Sequence, residues 1–580
     1  MIRRLVTASL LALFAGVAAA QETSRTPEAA TGVAPKELAV ATRHMVVAAH
    51  PLAAEAGREI LRAGGSAVDA AIATQLVLGL VEPQSSGLGG GAFIVHWDAA
   101  GSAVQTYDGR ETAPAGAKPD RFLKDGRPMP FDDAVRSGLS VGVPGVVRAM
   151  ELAHKTHGKL PWAKLFDPAI RLAEDGFPVP RRLNLLLSWR GADKFAAAAR
   201  AYFFDDTGLA RAEGATLKNP EYAATLREIS GKGAGAFYEG RIAAAIVAAT
   251  ASAPIAAGDM MLADLSGYQA KPRAALCFAY RLRKICGMGP PSSGTVTIAQ
   301  TLKLIEPLAE VQGNAAQMSA PALHVIVEAE KLAYADRNRY LADPDFVPIP
   351  DGLLDAGYLG ERRKLINPGR AMDKAEAGLP PGLSKRTFGK DATRESAGTS
   401  HISIVDDVGN AVAMTTTIES AFGSHLWAAG FLLNNELTDF SFQPADQSGA
   451  AIANAVNGGK RPRSSMAPTL VFDQNGALEI VTGSPGGSRI ILFVVKTLVA
   501  MLDWGLNPQE AAALVNFGSE GGTLQVETDS SALWPALQMT SYGHTVSTDM
   551  MTSGVHTIVR RSGRLEGGAD PRREGVALGD

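Results

Sequence analysis

Between Gly398 and Thr399 the chain changes character in one step, and that step constrains the whole fold. Residues 374–398 read KAEAGLPPGLSKRTFGKDATRESAG, rich in Pro, Gly, Ser and charge, with no helical or strand period. Taken alone this is an exposed linker or processing loop. From Thr399 the pattern alternates. Thr399, His401, Ser403 and Val405 share one face, and Ser400, Ile402 and Ile404 share the other. Residues 406–410 supply a turn and Ala411–Thr417 a second strand. One hairpin register sets Thr417 opposite Thr399. A slip of one residue brings Thr416 there instead and flips the face, and spacing alone does not choose between the two.

The start of the chain reads as an export signal over residues 1–20. Arg3 and Arg4 precede an apolar run over 5–17, then Ala18-Ala19-Ala20 and Gln21. A membrane anchor is the other reading, but the run is short for a span. Later in the chain, the apolar stretch 490–504 is broken by Lys496. The mature protein is therefore expected to be exported, periplasmic or secreted, with no membrane span. Net charge is −3, which gives no electrostatic reason to expect nucleic acid or an anionic membrane as partner. With 46% hydrophobic and 20% charged residues the balance is that of a folded chain.

Helical spacing marks 52–63, closed by Gly64-Gly65, and then Ala67–Val81, apolar almost all round and so expected to be buried. Residues 82–91 read EPQSSGLGGG, and strands are expected over 92–97 and up to Gly109. The glycine cluster looks like a dinucleotide loop, but it follows a helix and opens a strand, the reverse of what that loop needs. Residues 145–345 are mostly helical. The two cysteines, Cys277 and Cys286, lie in a hairpin over 276–288, and a two-residue turn at Arg281-Leu282 sets them face to face. A cross-strand disulfide and two buried free thiols both remain open. There is no CxxC, no HExxH and no His cluster, so no metal and no cofactor is expected.

If the chain is cut before Thr399, one residue holds both a hydroxyl nucleophile and a free α-amine, whose ordinary pKa of about 7.7–8.0 makes it a base near neutrality. An ordinary strand threonine is the alternative. A Ser-His-Asp triad from His401, Ser403 and Asp406 is not available on a single strand.

Several stretches decide the matter together: HPLAAEAGREILRAGGSAVDAA, EPQSSGLGGGAF, YDGRETAP, GVPG, GKLPWAKLFDPAIRLAEDGF, PPSSG, EAEKLAYADRNRYLADPDF, GTSHISIVDDVGNAVAMTTTIESAFGS, LLNNELTDFS, KRPRSSMAPT and TGSPGGSRI. With these, the chain resembles the γ-glutamyltransferase (γ-glutamyl transpeptidase) family of N-terminal-nucleophile hydrolases from about Met45 to its end. The resemblance implies an α+β fold, a four-layer αββα sandwich, built from two subunits of one precursor that cuts itself between Gly398 and Thr399. The large subunit would be 21–398, ending in the flexible segment 374–398, and the small catalytic subunit 399–580.

It also implies roles. Thr399 would be the nucleophile for self-cleavage and turnover, and Thr417 would hydrogen-bond its hydroxyl, which selects the register pairing the two. Arg110, Ser464 and Ser465 would hold the α-carboxylate of a γ-glutamyl group, and Glu436 and Asp439 its α-ammonium. Gly486 and Gly487 would offer N–H groups to the oxyanion. Without the resemblance each has a plain alternative: a surface Arg, solvated turn acids, turn serines, a tight glycine turn. The implied donor is glutathione, and the acceptor is water or an amino acid or peptide.

Two features depart from the family pattern. Glu419 stands where relatives carry Asn, putting three carboxylates near one cation, so one is protonated or turned away, or the donor differs. Residues 441–460, where some relatives have a lid with an aromatic tip, are shorter and hold no Tyr or Trp, which suggests a more open pocket. Two rival readings stand: an acylase for glutaryl or cephalosporin side chains on the same scaffold, and an uncleaved exported binding protein.

Overall fold

The structure, a computed structural model, describes residues 34–383, 388–393, 395, 398–528 and 533–580. The expected export signal lies outside the described residues. Two seven-stranded antiparallel sheets form the centre. The first runs Val576–Gly579, Met45–Ala48, Thr399–Val405, Ala411–Thr417, Gly91–Asp98, Ala103–Gly109 and Lys271–Arg273. The second runs Ala39–Ala41, Arg564–Ala569, His556–Arg561, Leu478–Gly483, Thr469–Phe472, Arg283–Gly287 and Leu276–Tyr280.

Alternation along the strands of the first sheet builds two cores. Val46, Ala48, Ile94, Ile402, Ile404, Val412 and Met414 face one core with the helices Pro51–Arg62 and Ala67–Val81. Met45, Val47, Phe93, Val95, Val405, Ala411 and Ala413 face the other, which takes in the second sheet and the helices Gly294–Ile305, Ala320–Tyr340 and Ile490–Leu502. The result is a helix, sheet, sheet, helix sandwich in which the strand beginning at Thr399 is buried on both faces.

The expected helices form where their signals lie. Pro51–Arg62 takes Pro at its first turn, and Ala67–Val81 is opened by a capping box. The Asp69 N–H donates to Ser66 Oγ at 3.2 Å and the Ser66 N–H to Asp69 Oδ2 at 2.9 Å, a device worth about 1 kcal/mol. The glycine cluster serves close backbone approach. A Cβ on Gly90 would lie 1.9 Å from the Thr417 carbonyl oxygen, so only glycine lets this segment lie against the end of the Thr417 strand.

The 276–287 hairpin turns at Arg281 and Leu282, both with positive φ (47° and 62°), the hand that a two-residue turn needs. Cys277 pairs with Cys286 across it, and of the two open readings the disulfide is the one formed.

Part of the segment 374–398, read from the sequence as an exposed linker, is exposed (Lys374, Glu376, Leu379, Lys390 and Ala392), but its end turns inward. Phe388, Asp391 and Gly398 are buried, and the Glu395 side chain is only 4% exposed. The reason is electrostatic: Asp391 and Glu395 pair with the buried Arg337 and Arg463. No helix among the described residues is long and apolar enough to cross a membrane.

Candidate active site

The register pairs Thr399 with Thr417 across the central hairpin, resolving the ambiguity left by spacing. Thr417 Oγ1 accepts from the Glu419 N–H at 2.6 Å and donates to the Gly398 carbonyl at 2.9 Å. Glu419 has φ 75°, which turns the chain back over the strand end. Arg573 Nη1 donates to the Thr399 carbonyl at 3.1 Å.

One pocket is lined by Arg110, Glu395, Thr399, Thr417, Glu419, Glu436, Asp439, Ser464, Ser465 and Gly487. Nearly every residue singled out from the sequence thus converges on one place. Arg110 follows the strand Ala103–Gly109, Glu436–Asp439 is a short 3-10 turn, and Ser464-Ser465 precede the strand Thr469–Phe472. Gly486 and Gly487 lead into the helix Ile490–Leu502. Gly486 has φ 141°, and a Cβ there would lie 2.6 Å from the Phe493 ring. Tyr334 Oη donates to the Ser488 carbonyl at 2.6 Å and so holds this loop from the long helix Ala320–Tyr340.

Arg110 is buried, and its guanidinium is fully engaged inside the protein. It donates to Glu436 Oε1, to Asp439 Oδ2 at 2.6 Å, to the Arg463 carbonyl at 2.8 Å and to the Pro462 carbonyl at 3.2 Å. Asp439 Oδ1 has no hydrogen-bond partner among the described residues. Glu419 Oε2 accepts from Asn435 Nδ2 at 2.9 Å.

One guanidinium cannot keep this many carboxyls ionised. Burial, with the like charges of Glu111 and Asp439, holds Glu436 well above the usual carboxylate range against the pull of Arg110. Burial and then Glu419 do the same to Asp439. Burial carries Glu111 up to about 8. The crowding of acids that Glu419 creates is thus relieved by protons shared among the carboxyls.

Glu395 also lines this pocket, and Arg337 and Arg463 pair with it; no local spacing in the sequence marks these three. Arg337 Nη2 donates to Glu395 Oε1 and to Ser465 Oγ, each at 2.5 Å, and Ser465 Oγ donates to Glu395 Oε2 at 2.7 Å. Arg463 Nη2 reaches Glu395 Oε1 at 3.2 Å and Asp391 Oδ2 at 3.0 Å. Burial raises the Glu395 carboxyl, but the two guanidiniums outweigh it and hold it at about 2. Arg337 and Arg463 lie inside quoted motif stretches, yet a pocket arginine and a surface arginine look alike in one dimension.

His401 is a structural neighbour of the nucleophile strand. Its ring contacts Thr415 Oγ1 at 2.8 Å and Ser403 Oγ at 3.1 Å. Burial, with His556 next to it, lowers its pKa well below the ordinary value. Asp406 accepts instead from the turn amides of Val408 and Asn410. Elsewhere, His324, Glu328 and His544 could converge on a cation. Lys331 already supplies one there, 2.8 Å from Glu328 Oε1 and 3.3 Å from His544 Nδ1.

The family model described as Gamma-glutamyltranspeptidase matches residues 53–580. The glutathione hydrolase proenzyme of Bacillus subtilis (strain 168) is 34% identical over 556 residues, 94% of this chain and 92% of that one. The acylase ACY 1 proenzyme of Pseudomonas sp. (strain V22) is 34% identical over 566 residues, 95% of this chain and 96% of that one. Among solved structures, the cephalosporin acylase from Bacillus halodurans superposes with a TM-score of 0.82 at 26% identity, covering 94% of this chain and 97% of that one.

Proposed function

The chain belongs to the gamma-glutamyltranspeptidase family, and from that membership and the pocket we infer that it is a γ-glutamyl transferase and glutathione hydrolase, made as a precursor that cuts itself between Gly398 and Thr399. The observation that carries the reading is the Thr417 hydroxyl bonded to the Gly398 carbonyl oxygen, directly beside Thr399.

In maturation, Thr399 Oγ adds to the Gly398 carbonyl carbon. The Thr417 hydroxyl stabilises charge on the carbonyl oxygen as it develops. The Gly398–Thr399 C–N bond breaks, the proton passes to the nitrogen that becomes the Thr399 α-amine, and water hydrolyses the resulting ester. The subunits are then 21–398 and 399–580.

In turnover the α-amine takes the Thr399 hydroxyl proton and the oxygen attacks the γ-amide carbonyl of the donor. The amine takes up that proton and leaves, and water or an amino acid or peptide then receives the γ-glutamyl group. Gly486 and Gly487 N–H groups serve the oxyanion. Arg110, Ser464 and Ser465 serve the α-carboxylate, and Glu436, Asp439 and Glu419 the α-ammonium. The clustered carboxyls of Glu436 and Asp439, with Asp439 Oδ1 lacking a hydrogen-bond partner among the described residues, suit an ammonium, which a glutaryl group lacks.

Residues 1–20 act as an export signal in this reading, and the enzyme works in the periplasm or outside the cell. The 441–460 segment holds no Tyr or Trp and contributes no residue to the pocket lining, which in this reading favours an open pocket and hydrolysis over transfer.

The test is sequencing of the smaller fragment, expected to begin Thr-Ser-His, with Thr399→Ala giving one uncut, inactive chain. The likeness to acylases gives a second reading, which γ-glutamyl-p-nitroanilide against glutaryl-p-nitroanilide separates: faster release from the glutaryl compound would favour the acylase.

A further inference from the structure

Arg337 and Arg463 carry two buried positive charges whose carboxylate partners lie in the short segment just before the cleavage bond. Their side chains are 3% and 1% exposed. Each ion pair seen for them is with Glu395 or Asp391, and both acids belong to the segment that precedes Gly398. The remaining side-chain partners of Arg337 are neutral: Ser293 Oγ at 2.9 Å, Asn338 Oδ1 at 2.9 Å and Ser465 Oγ. Arg463 Nε and Nη1, also buried, have no hydrogen-bond partner among the described residues.

Arg110 is the opposite case. Its two carboxylates, Glu436 and Asp439, come from the small subunit and stay after cleavage. The difference matters because removing one partner of a buried ion pair costs about 3–5 kcal/mol through the charge left behind. Once the tail that ends at Gly398 swings out, two guanidiniums and the Ser465 hydroxyl are left needing an anion, and Ser465 lines the same pocket as Glu436 and Asp439. A pocket that is cationic on one side and acidic on the other matches an α-amino acid zwitterion.

We propose that Arg337, Arg463 and the Ser465 hydroxyl form a carboxylate-binding subsite, filled by Glu395 in the uncut chain and taken over by the α-carboxylate of the donor after cleavage. The proposal rests on the γ-glutamyl reading above and adds to it. Two arginines join the donor site, and the segment before the cleavage bond keeps that site closed with a carboxylate of its own. Glu395 needs no bond chemistry to do this. Its side chain is a glutamate carboxylate in contact with the Ser465 hydroxyl that the donor is expected to use.

The test is titration calorimetry with L-glutamate and 4-aminobutyrate, which differ only by the α-carboxylate. On the uncut Thr399→Ala chain, L-glutamate is expected not to bind while Glu395 is present, and to bind when Glu395→Ala is added. On the mature wild-type protein L-glutamate binds. Arg463→Gln is expected to weaken it about tenfold or more, the loss of one charged hydrogen-bonding partner, with 4-aminobutyrate unchanged. L-glutamate binding equally well to the uncut chain with and without Glu395 overturns the proposal, as does an equal loss of both ligands in Arg463→Gln. If the Glu395→Ala chain does not fold, the Arg463→Gln arm on mature protein decides alone. Failure of the wild type to release p-nitroaniline from γ-glutamyl-p-nitroanilide would instead sink the γ-glutamyl reading, and leaves the calorimetric comparison readable.

Discussion

The hydroxyl of Thr417 lies 2.9 Å from the carbonyl oxygen of Gly398 and donates to it. Thr417 Oγ1 itself accepts from the Glu419 N–H at 2.6 Å, so its proton is aimed at Gly398. Replacing Thr417 with Ala should slow self-cleavage about 100-fold, the cost typical of one lost oxyanion donor. Full-length chain would then persist on a denaturing gel, and Thr417→Ser should restore cutting. Maturation of Thr417→Ala at the wild-type rate would remove this bond from the mechanism.

Gly486 should not tolerate a side chain. Its φ of 141° and the Phe493 ring 2.6 Å from an added Cβ mean that Gly486→Ala displaces the loop that also carries Gly487. The expected result is a kcat lower by about 100-fold or more with KM changed little. A variant with ordinary kcat would show that this loop does not hold the oxyanion.

Glu111 has a folded pKa of about 8 against an ordinary 4.5, burial being the main cause. A carboxyl raised on folding contributes stability in full below its unfolded pKa and loses it as pH climbs through the folded one. Glu111→Gln keeps the neutral shape. It should therefore gain on the wild type as pH rises from 5 to 9, by at most about 1.4 kcal/mol per pH unit. Melting temperatures of the two proteins across that range provide the check, and a constant difference would contradict the assignment.

The Cys277–Cys286 bond closes a separation of nine residues between the edge strand of the second sheet and its neighbour. Loop-closure entropy for so short a loop is about 2–3 kcal/mol. Cys277→Ala with Cys286→Ala should lower the melting temperature and leave kcat/KM unchanged, because none of the residues lining the pocket belongs to this hairpin. A fall in kcat/KM at a temperature where the variant is fully folded would tie the hairpin to the site.

Much of this was legible in one dimension because it is local. Alternation from Thr399 put Ile402 and Ile404 on one face and Val405 on the other, and the two faces enter separate cores. The capping pair Ser66 and Asp69 and the apolar run behind it set a buried helix. A two-residue turn at Arg281-Leu282 brought the cysteines face to face. Motif by motif, the resemblance also named the residues that line the pocket, although it paired Arg110 with a substrate carboxylate, whereas in the uncut chain the guanidinium is taken by Glu436 and Asp439.

What tertiary structure alone decided were relations between distant charges. Arg110 meets Glu436 across 326 positions, and Glu395 meets Arg337 across 58 and Arg463 across 68. Periodicity reports which way a side chain faces within its own strand or helix, because backbone geometry repeats every two or 3.6 residues. It carries no record of which element folds against which. The polar stretch before Thr399 therefore read as solvated, and only the folded pocket, with two buried guanidiniums needing an anion, drew Glu395 inside.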